Sequence, residues 1–412
     1  MSNWDARYAT RANRMRASEI RELLKLLDQP DIISFAGGIP DPALFPADAF
    51  RKAYERALAD GQYGAALQYS VSEGYAPLRE WIAANLAAAG IECGIDNIVI
   101  TSGSQQALDY LGKLFLSPSD TALVTSPTYL GALQAFNAYE PNYDRLALDQ
   151  GNMTPAAYRD AAANAGGRAK FGYVNPDFSN PAGETMDRAT RERLLDLADE
   201  MDIPVIEDAA YQALRYDGEP VPPILALDIA RKGHIDETRT IYCGTFSKTL
   251  SPGLRLGWVC AAKPVIRKLV LMKQAADLHS PTINQMAMYH AAVDFYDQQI
   301  DLLRTTYGRR RDNVLAALEK YMPDGVAWTK PEGGMFIWVT LPEGIDGAAL
   351  LARAIETERV AFVPGQAFHA DGSGTNTIRL SFSLATEELA DTGIARLGRL
   401  VRVVMAEMPR AA

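Results

Sequence analysis

Three cysteines in 412 residues, Cys93, Cys243 and Cys260, are too few and too scattered for a disulfide framework or a zinc knuckle, and a reducing, cytoplasmic setting is expected. The four histidines, His234, His279, His290 and His369, show no metal-ligand spacing, so no metal site is expected. Absent too are Gly-x-Gly-x-x-Gly, the Walker lysine loop, His-Glu-x-x-His, Gly-x-Ser-x-Gly and Cys-x-x-Cys, the signatures of several common enzyme chemistries. No uncharged apolar run reaches the roughly 18 residues of a membrane span. Lys and Arg number 41 against 51 Asp and Glu, a net charge of -10, the opposite of the balance a nucleic-acid binder carries. Arg7, Arg11, Arg14 and Arg16 are interspersed with Asp5 and Glu19, so the first residues are expected to belong to the working protein rather than to a cleaved leader.

What is present is an ordinary globular composition, 48% hydrophobic and 22% charged. At roughly 150 residues per domain, the length predicts two or three domains. Residues 97 to 116 read as a strand, a Ser102-Gly103-Ser104 turn, and a helix carrying Ala107, Leu108, Leu111, Leu114 and Phe115 on one face. Further strands are predicted at 121–125, 171–174, 204–207, 241–245 and 256–261, with a helix through Leu194, Leu195, Ala198 and Met201. Such alternation predicts an α/β fold with a mostly parallel central sheet covered by helices on both faces. Beyond residue 295 a polar helix through Arg309 to Leu318 and strands at 334–341, 360–363 and 377–382 predict a smaller α+β unit. The expected division is an arm over 1–45 with a helix from Ser18 to Leu27, a large domain over 46–295 and a small one over 296–412.

The chemistry-bearing residues follow strands. Thr245-Phe246-Ser247-Lys248 leads into Ser251-Pro252-Gly253-Leu254-Arg255, placing a lysine at the carboxyl edge of the sheet, where open α/β folds bind ligands. A lysine partly buried among cations sheds its proton more readily and forms a Schiff base with a carbonyl. Val205-Ile206-Glu207-Asp208-Ala209-Ala210-Tyr211 ends a strand in a carboxylate suited to a metal, a ribose or a ring nitrogen. Asn180-Pro181-Ala182-Gly183 supplies an amide donor on a turn, and Ser104 and Gln105 open a helix whose free N–H groups suit a phosphate. An amine, a carboxylate, donors to an anionic oxygen and an anion cradle are together what pyridoxal 5'-phosphate requires.

With Phe35-Ala36-Gly37-Gly38-Ile39-Pro40, Leu67-Gln68-Tyr69-Ser70, Asp277-Leu278-His279, Gly333-Gly334-Met335-Phe336 and Thr377-Ile378-Arg379-Leu380-Ser381, these passages resemble the class I, fold-type I aminotransferases over nearly the whole chain, and most of all the 2-aminoadipate and kynurenine aminotransferase branch. The resemblance implies a transferase of amino acid metabolism that moves an amino group between an L-amino acid and a 2-oxo acid by a ping-pong Schiff-base mechanism. Lys248, Asp208 and Tyr211 would be catalytic: Lys248 as covalent anchor and proton shuttle, Asp208 on the ring nitrogen. Asn180 and Tyr211 would hold the phenolic oxygen and Tyr129 would stack on the ring. Ser104, Gln105, Ser247 and Arg255 would bind the phosphate, joined by Tyr69 from the other subunit of a homodimer with shared active sites. Arg379 would clamp the substrate carboxylate beside Asn180 and Gly38, and Arg21 would meet the distal carboxylate of acidic substrates. Glutamate and 2-oxoglutarate are the expected pair for one half-reaction, with aminoadipate, branched-chain or aromatic partners for the other. Two alternatives remain on the same scaffold, a lyase or decarboxylase and a non-catalytic sensor of the kind fused to DNA readers; the short segment before Phe35 argues against such a reader.

Overall fold

The computed structural model describes residues 4–15, 31–147 and 151–408. The expected helix from Ser18 to Leu27 lies outside them. Strand β1 (Ile33–Ser34) leads into helices α1 (Ala47–Ala57) and α2 (Ala76–Ala88). A seven-stranded sheet follows, made of β2 (Ile98–Thr101), β3 (Thr121–Val124), β4 (Asn142–Arg145), β5 (Ala169–Val174), β6 (Val205–Asp208), β7 (Thr240–Thr245) and β8 (Gly257–Cys260). Its order is β2-β8-β7-β6-β5-β3-β4. Every pairing from β7 to β4 is parallel, and β8 alone runs against both its neighbours. Nearly every residue of β2, β3, β6, β7 and β8 is buried, as expected of strands covered on two faces.

Edge strand β4, Asn-Tyr-Asp-Arg, adds to the strands the sequence predicts: it is polar and half-exposed, so hydrophobic patterning does not mark it. Helices α3 (Ser104–Phe115), α4 (Leu130–Asn137), α5 (Arg188–Met201), α6 (Ile224–Lys232) and α7 (Lys263–Ala276) cover the sheet. In α5 the Asp187 carboxylate accepts from the Thr190 N–H at the start, and Asp202 ends the helix in the left-handed region.

The helix expected around Arg309–Leu318 is part of α8 (Thr282–Tyr321), 40 residues and about 60 Å long at 1.5 Å per residue. Met288 and Ala292 pack with the β2-β8 side of the large sheet, whereas Leu303, Tyr307, Val314 and Leu318 join a separate core, so one rigid rod serves two units. Residue 295, the expected domain division, falls inside it. The second core covers a four-stranded antiparallel sheet of order β12-β13-β10-β9, made of β9 (Ala327–Trp328), β10 (Phe336–Thr340), β12 (Val363–Pro364) and β13 (Thr377–Ser381), backed by α9 (Glu387–Glu407). The single strand expected over 360–363 is two. β11 (Val360–Ala361) pairs in parallel with β1, the chain switches sheets at buried Phe362, and β12 pairs with β13. Among the described residues no helix is long and apolar enough to cross a membrane.

Candidate active site

Strand register assembles the site. Thr101 of β2 and Thr245 of β7 both lie opposite Gly257 at the start of β8. The turns that follow, Ser102-Gly103-Ser104 and Phe246-Ser247-Lys248, therefore leave the same sheet edge with only β8 between them. Gly257 permits that closeness: a Cβ there would stand 2.7 Å from the Ser104 backbone nitrogen. Gly103, at φ +82°, would bring a Cβ to 2.5 Å from the Arg255 guanidinium. Arg255 thus lies against the loop, donating to the Ser102 carbonyl at 3.4 Å and to that of Pro252 at 3.2 Å. No side chain caps α3, so its first N–H groups face this corner, a helix end suited to an anion. The Gln105 amide is engaged with the Gly131 carbonyl at 2.6 Å, and Ser247 accepts from the Thr245 hydroxyl at 2.9 Å.

The loop rests on an ion cluster built on buried Lys273 and part-exposed Asp277, of which only the Asp277 passage is marked by the resemblance. Gln106 accepts from the Ser102 N–H at 2.9 Å and donates to Asp277 at 2.8 Å. Lys273, wholly buried on α7, donates at 3.0 Å to Gln106, Asp277 and Ser280. Its side chain reads from sequence as one more helix lysine; only the packing shows that its cation is enclosed and paired.

Asp208 and Lys248 follow from neighbouring strands, Asp208 closing β6 and Lys248 lying just past β7. Lys248 donates to the Gly38 carbonyl at 3.1 Å, and its ammonium lies 5.8 Å from the Tyr211 ring centroid. Desolvation, with the Arg379 and Arg255 charges, pulls its pKa from 10.5 to about 8 against the attraction of Asp208. Burial raises Asp208 from 3.8 to about 6, opposed by a Tyr173 hydrogen bond and by Lys248. Its Oδ2 accepts from the Tyr173 hydroxyl at 2.8 Å, whereas Oδ1 is buried with no partner. Asn175 ties the strand ends together, donating to the Asp208 carbonyl and accepting from the Asn180 N–H at 2.8 Å. Asn180 Nδ2 is 3.5 Å from the Tyr211 hydroxyl, whose pKa burial raises.

Arg379 comes from the other sheet. Paired with Trp338 on β10 and Val363 on β12, it is 1% exposed. It donates to Asn180 Oδ1 and to the Ala36 carbonyl, both at 2.8 Å, and its guanidinium lies 4.2 and 5.0 Å from the Phe336 and Phe368 ring centroids. Nε has no partner. The Ala36–Gly38 segment reaches it because the Ser381 N–H donates to the Phe35 carbonyl at 2.7 Å. Tyr129 caps α4 half-buried, near enough to Tyr173, Tyr211 and Arg379 to perturb all three electrostatically. Tyr69 is 78% exposed and meets His279 edge to face, ring centroids 6.0 Å apart. Arg21 lies outside the described residues. Tyr173, Asn175 and Phe368 join the site without a signal of their own, as ordinary strand and loop residues in sequence, whereas Phe336 belongs to a passage that carries the resemblance.

Comparison with known proteins adds to this geometry. Residues 30–397 match the family model Aminotransferase class I and II. The chain is 43% identical over 411 residues to aromatic-amino-acid aminotransferase 1 of Thermococcus litoralis, covering 98% of this chain and 96% of that protein. The crystal structure of Pyrococcus horikoshii kynurenine aminotransferase in complex with PMP superposes with a TM-score of 0.89 at 43% identity, covering 98% and 99% of the two chains. That of α-aminoadipate aminotransferase from Thermus thermophilus, complexed with N-(5'-phosphopyridoxyl)-L-leucine, gives a TM-score of 0.87 at 38% identity and covers 99% and 100%. With likeness of this extent running the length of the chain, the protein belongs to the class I and II aminotransferases and is a pyridoxal-phosphate-dependent transaminase of fold type I.

Proposed function

We propose that this transaminase takes glutamate and 2-oxoglutarate in one half-reaction and aminoadipate, branched-chain or aromatic partners in the other, with Lys248, Asp208 and Tyr211 as its catalytic residues. The observation that carries the site assignment is Asp208 Oδ1, a buried carboxylate oxygen with no partner beside a lysine of lowered basicity. The residues present fit the cofactor. Oδ1 suits the protonated ring nitrogen, and the uncapped start of α3 with Ser104, Ser247 and Arg255 suits the phosphate. Because the Gln105 amide is engaged by Gly131, its contribution is the backbone N–H. Asn180 and Tyr211 offer donors to the phenolic oxygen and Tyr129 a ring to stack. Tyr69 serves the site of a second copy in a homodimer, a role supported by its exposure beside exposed Tyr63, Leu67 and Val71.

When bound, the cofactor supplies an electron sink for the charge left at the substrate Cα. The protein does the rest. Lys248 Nζ, its pKa lowered to about 8, would take the proton from the substrate Cα and pass it to the cofactor carbon that keeps the amino group. Arg379 uses its remaining donors to clamp the α-carboxylate, with Asn180 and Gly38 alongside, and so orients the Cα–H bond. Asp208 keeps the ring cationic. Arg21 meets the distal carboxylate of acidic substrates. Domain division into the arm, 46–295 and 296–412 belongs to this reading, as does a cytoplasmic setting, supported by three free cysteines.

The named relatives, acting on aromatic amino acids, kynurenine and α-aminoadipate, support the substrate class. A stopped-flow panel of glutamate, aminoadipate, aspartate, leucine, phenylalanine and alanine against the holoenzyme, following the cofactor absorbance, tests it. Glutamate and at least one of aminoadipate, leucine and phenylalanine should react fastest; silence toward glutamate would sink the proposal. Arg21→Ala should lower the rate on glutamate relative to leucine, and an unchanged ratio removes Arg21 from the site.

A further inference from the structure

Tyr173 touches the site at one atom. In the parallel β5-β6 ladder it pairs with Ile206, which shares its sheet face with Asp208, two residues on. Tyr173 is fully buried, edge to face with Phe136 at 5.7 Å between ring centroids, and packed among apolar residues of that face. Its hydroxyl donates to Asp208 Oδ2 at 2.8 Å. Burial and the Asp208 charge hold the phenol far above its ordinary pKa, so it remains a donor at working pH. The two oxygens of one carboxylate are thereby made unequal: one is tied down and the other is left bare.

We propose that Tyr173 is a positioning residue that decides where the proton shared between Asp208 and the cofactor ring nitrogen resides. The inference rests on the reading of Asp208 as that nitrogen's partner. Donation to Oδ2 draws negative charge toward that oxygen, which makes Oδ1 a weaker base and leaves the proton on the ring. Without the donor, the ring N–H bond breaks as an O–H bond forms on Oδ1; a charged pair becomes a neutral one and no electrons are exchanged. Burial favours that neutral pair, because a low-dielectric interior penalises separated charges. The other groups facing Asp208 do not substitute for the phenol. Lys248 acts through space, and the Ala210 N–H adds a smaller stabilisation of the anion. Cys243, opposite Asp208 in the register, is kept a neutral thiol by burial, and Asn175 engages the backbone carbonyl rather than the carboxylate. Asp208 also acts electrostatically on Tyr211, and Tyr129 acts electrostatically on Tyr173.

The test is to load wild type, Tyr173→Phe and Asp208→Asn with cofactor labelled with 15N in its ring and to read the nitrogen's chemical shift, which reports protonation independently of turnover. Wild type should show a protonated nitrogen. Tyr173→Phe should move the shift toward the unprotonated value and weaken cofactor binding about tenfold, as expected for loss of a hydrogen bond to a charged group. Fluorinated tyrosines at position 173 keep the ring and the hydroxyl, guard against misfolding of the Phe variant, and make the phenol a stronger donor; they should leave the nitrogen fully protonated. A Tyr173→Phe shift equal to wild type, with Asp208→Asn deprotonated, overturns the role of Tyr173 alone. A protonated nitrogen in Asp208→Asn overturns the reading of Asp208 itself.

Discussion

Glu207 and Asp208 are consecutive residues on opposite faces of β6, both fully buried and both pushed upward in pKa, yet they do different work. On one face Glu207, raised from 4.5 to about 7 chiefly by desolvation, accepts from the Ile224 N–H at 2.8 Å and the Leu225 N–H at 2.9 Å at the start of α6. Both its oxygens are satisfied, and it serves as a helix anchor. On the other face Asp208 has one oxygen on Tyr173 and one on nothing. Burial and a shifted pKa therefore do not distinguish a functional acid from a structural one here. The unfilled acceptor is what supports the proposed role of Asp208, because leaving a buried polar atom unpaired costs about 1–3 kcal/mol unless a ligand completes it.

The sharpest way to break this contrast is on the face of Asp208. Lys248→Ala should lower kcat by roughly 10^4-fold, the upper range for losing a positioned acid-base group, and abolish borohydride labelling of the holoenzyme; a labelled variant would move the covalent site elsewhere. Asp208→Asn should cost roughly 10^3-fold in kcat/KM, comparable to losing a preorganised electrostatic contact. Glu207→Gln should stay within about tenfold of wild type in kcat/KM while losing about 1–3 kcal/mol in urea unfolding, because the amide NH2 that replaces one oxygen faces an N–H of α6 and cannot accept from it. If Glu207→Gln proved the more damaging to turnover, the assignment of the two faces would be reversed. Arg379→Lys should raise KM for the amino acid about tenfold or more, since an ammonium cannot make the paired contact of a guanidinium.

The smallest effect is on pH dependence. In the cofactor-free protein the pKa values of Asp208 and Glu207, about 6 and about 7, exceed their unfolded values of 3.8 and 4.5, so the folded state binds their protons more tightly. Their contribution to stability is then greatest at the acid end and declines as pH rises from about 4 to about 7, each acid costing up to about 1.4 kcal/mol for every pH step of one between its unfolded and folded pKa. Urea titrations of the apoprotein across this range should show the decline in wild type and a flatter profile in the Asp208→Asn, Glu207→Gln pair. Equal slopes would mean that neither acid is shifted as burial implies.

Much of this was legible in the chain. Apolar-rich runs over 97–101, 121–125, 171–174, 204–207 and 241–245 mark the strands because fully buried parallel strands are apolar on both faces. Lys248, Asp208, Asn180 and Ser104 stand out because each follows such a run. Other features were not legible for specific reasons. β4 is polar, α8 is long because it serves two cores, and Phe362 hides a change of sheet. Tyr173 sits in Phe-Gly-Tyr-Val like any core aromatic, and Arg379 was marked only by the resemblance, with nothing in its own strand to say that Phe336 and Phe368 flank it.

Local pattern, then, determined the strand-turn-helix units and which polar residues emerge at their ends, since periodicity and turn chemistry act over a few neighbours. Only the tertiary structure decided that Gly257 lets two turns meet, that Lys273 is enclosed, and that Tyr173 rather than water meets one oxygen of Asp208. Those outcomes depend on pairing between residues as distant along the chain as Ile98 and Cys260, and whether a buried polar atom is satisfied is settled by the partners that packing brings to it.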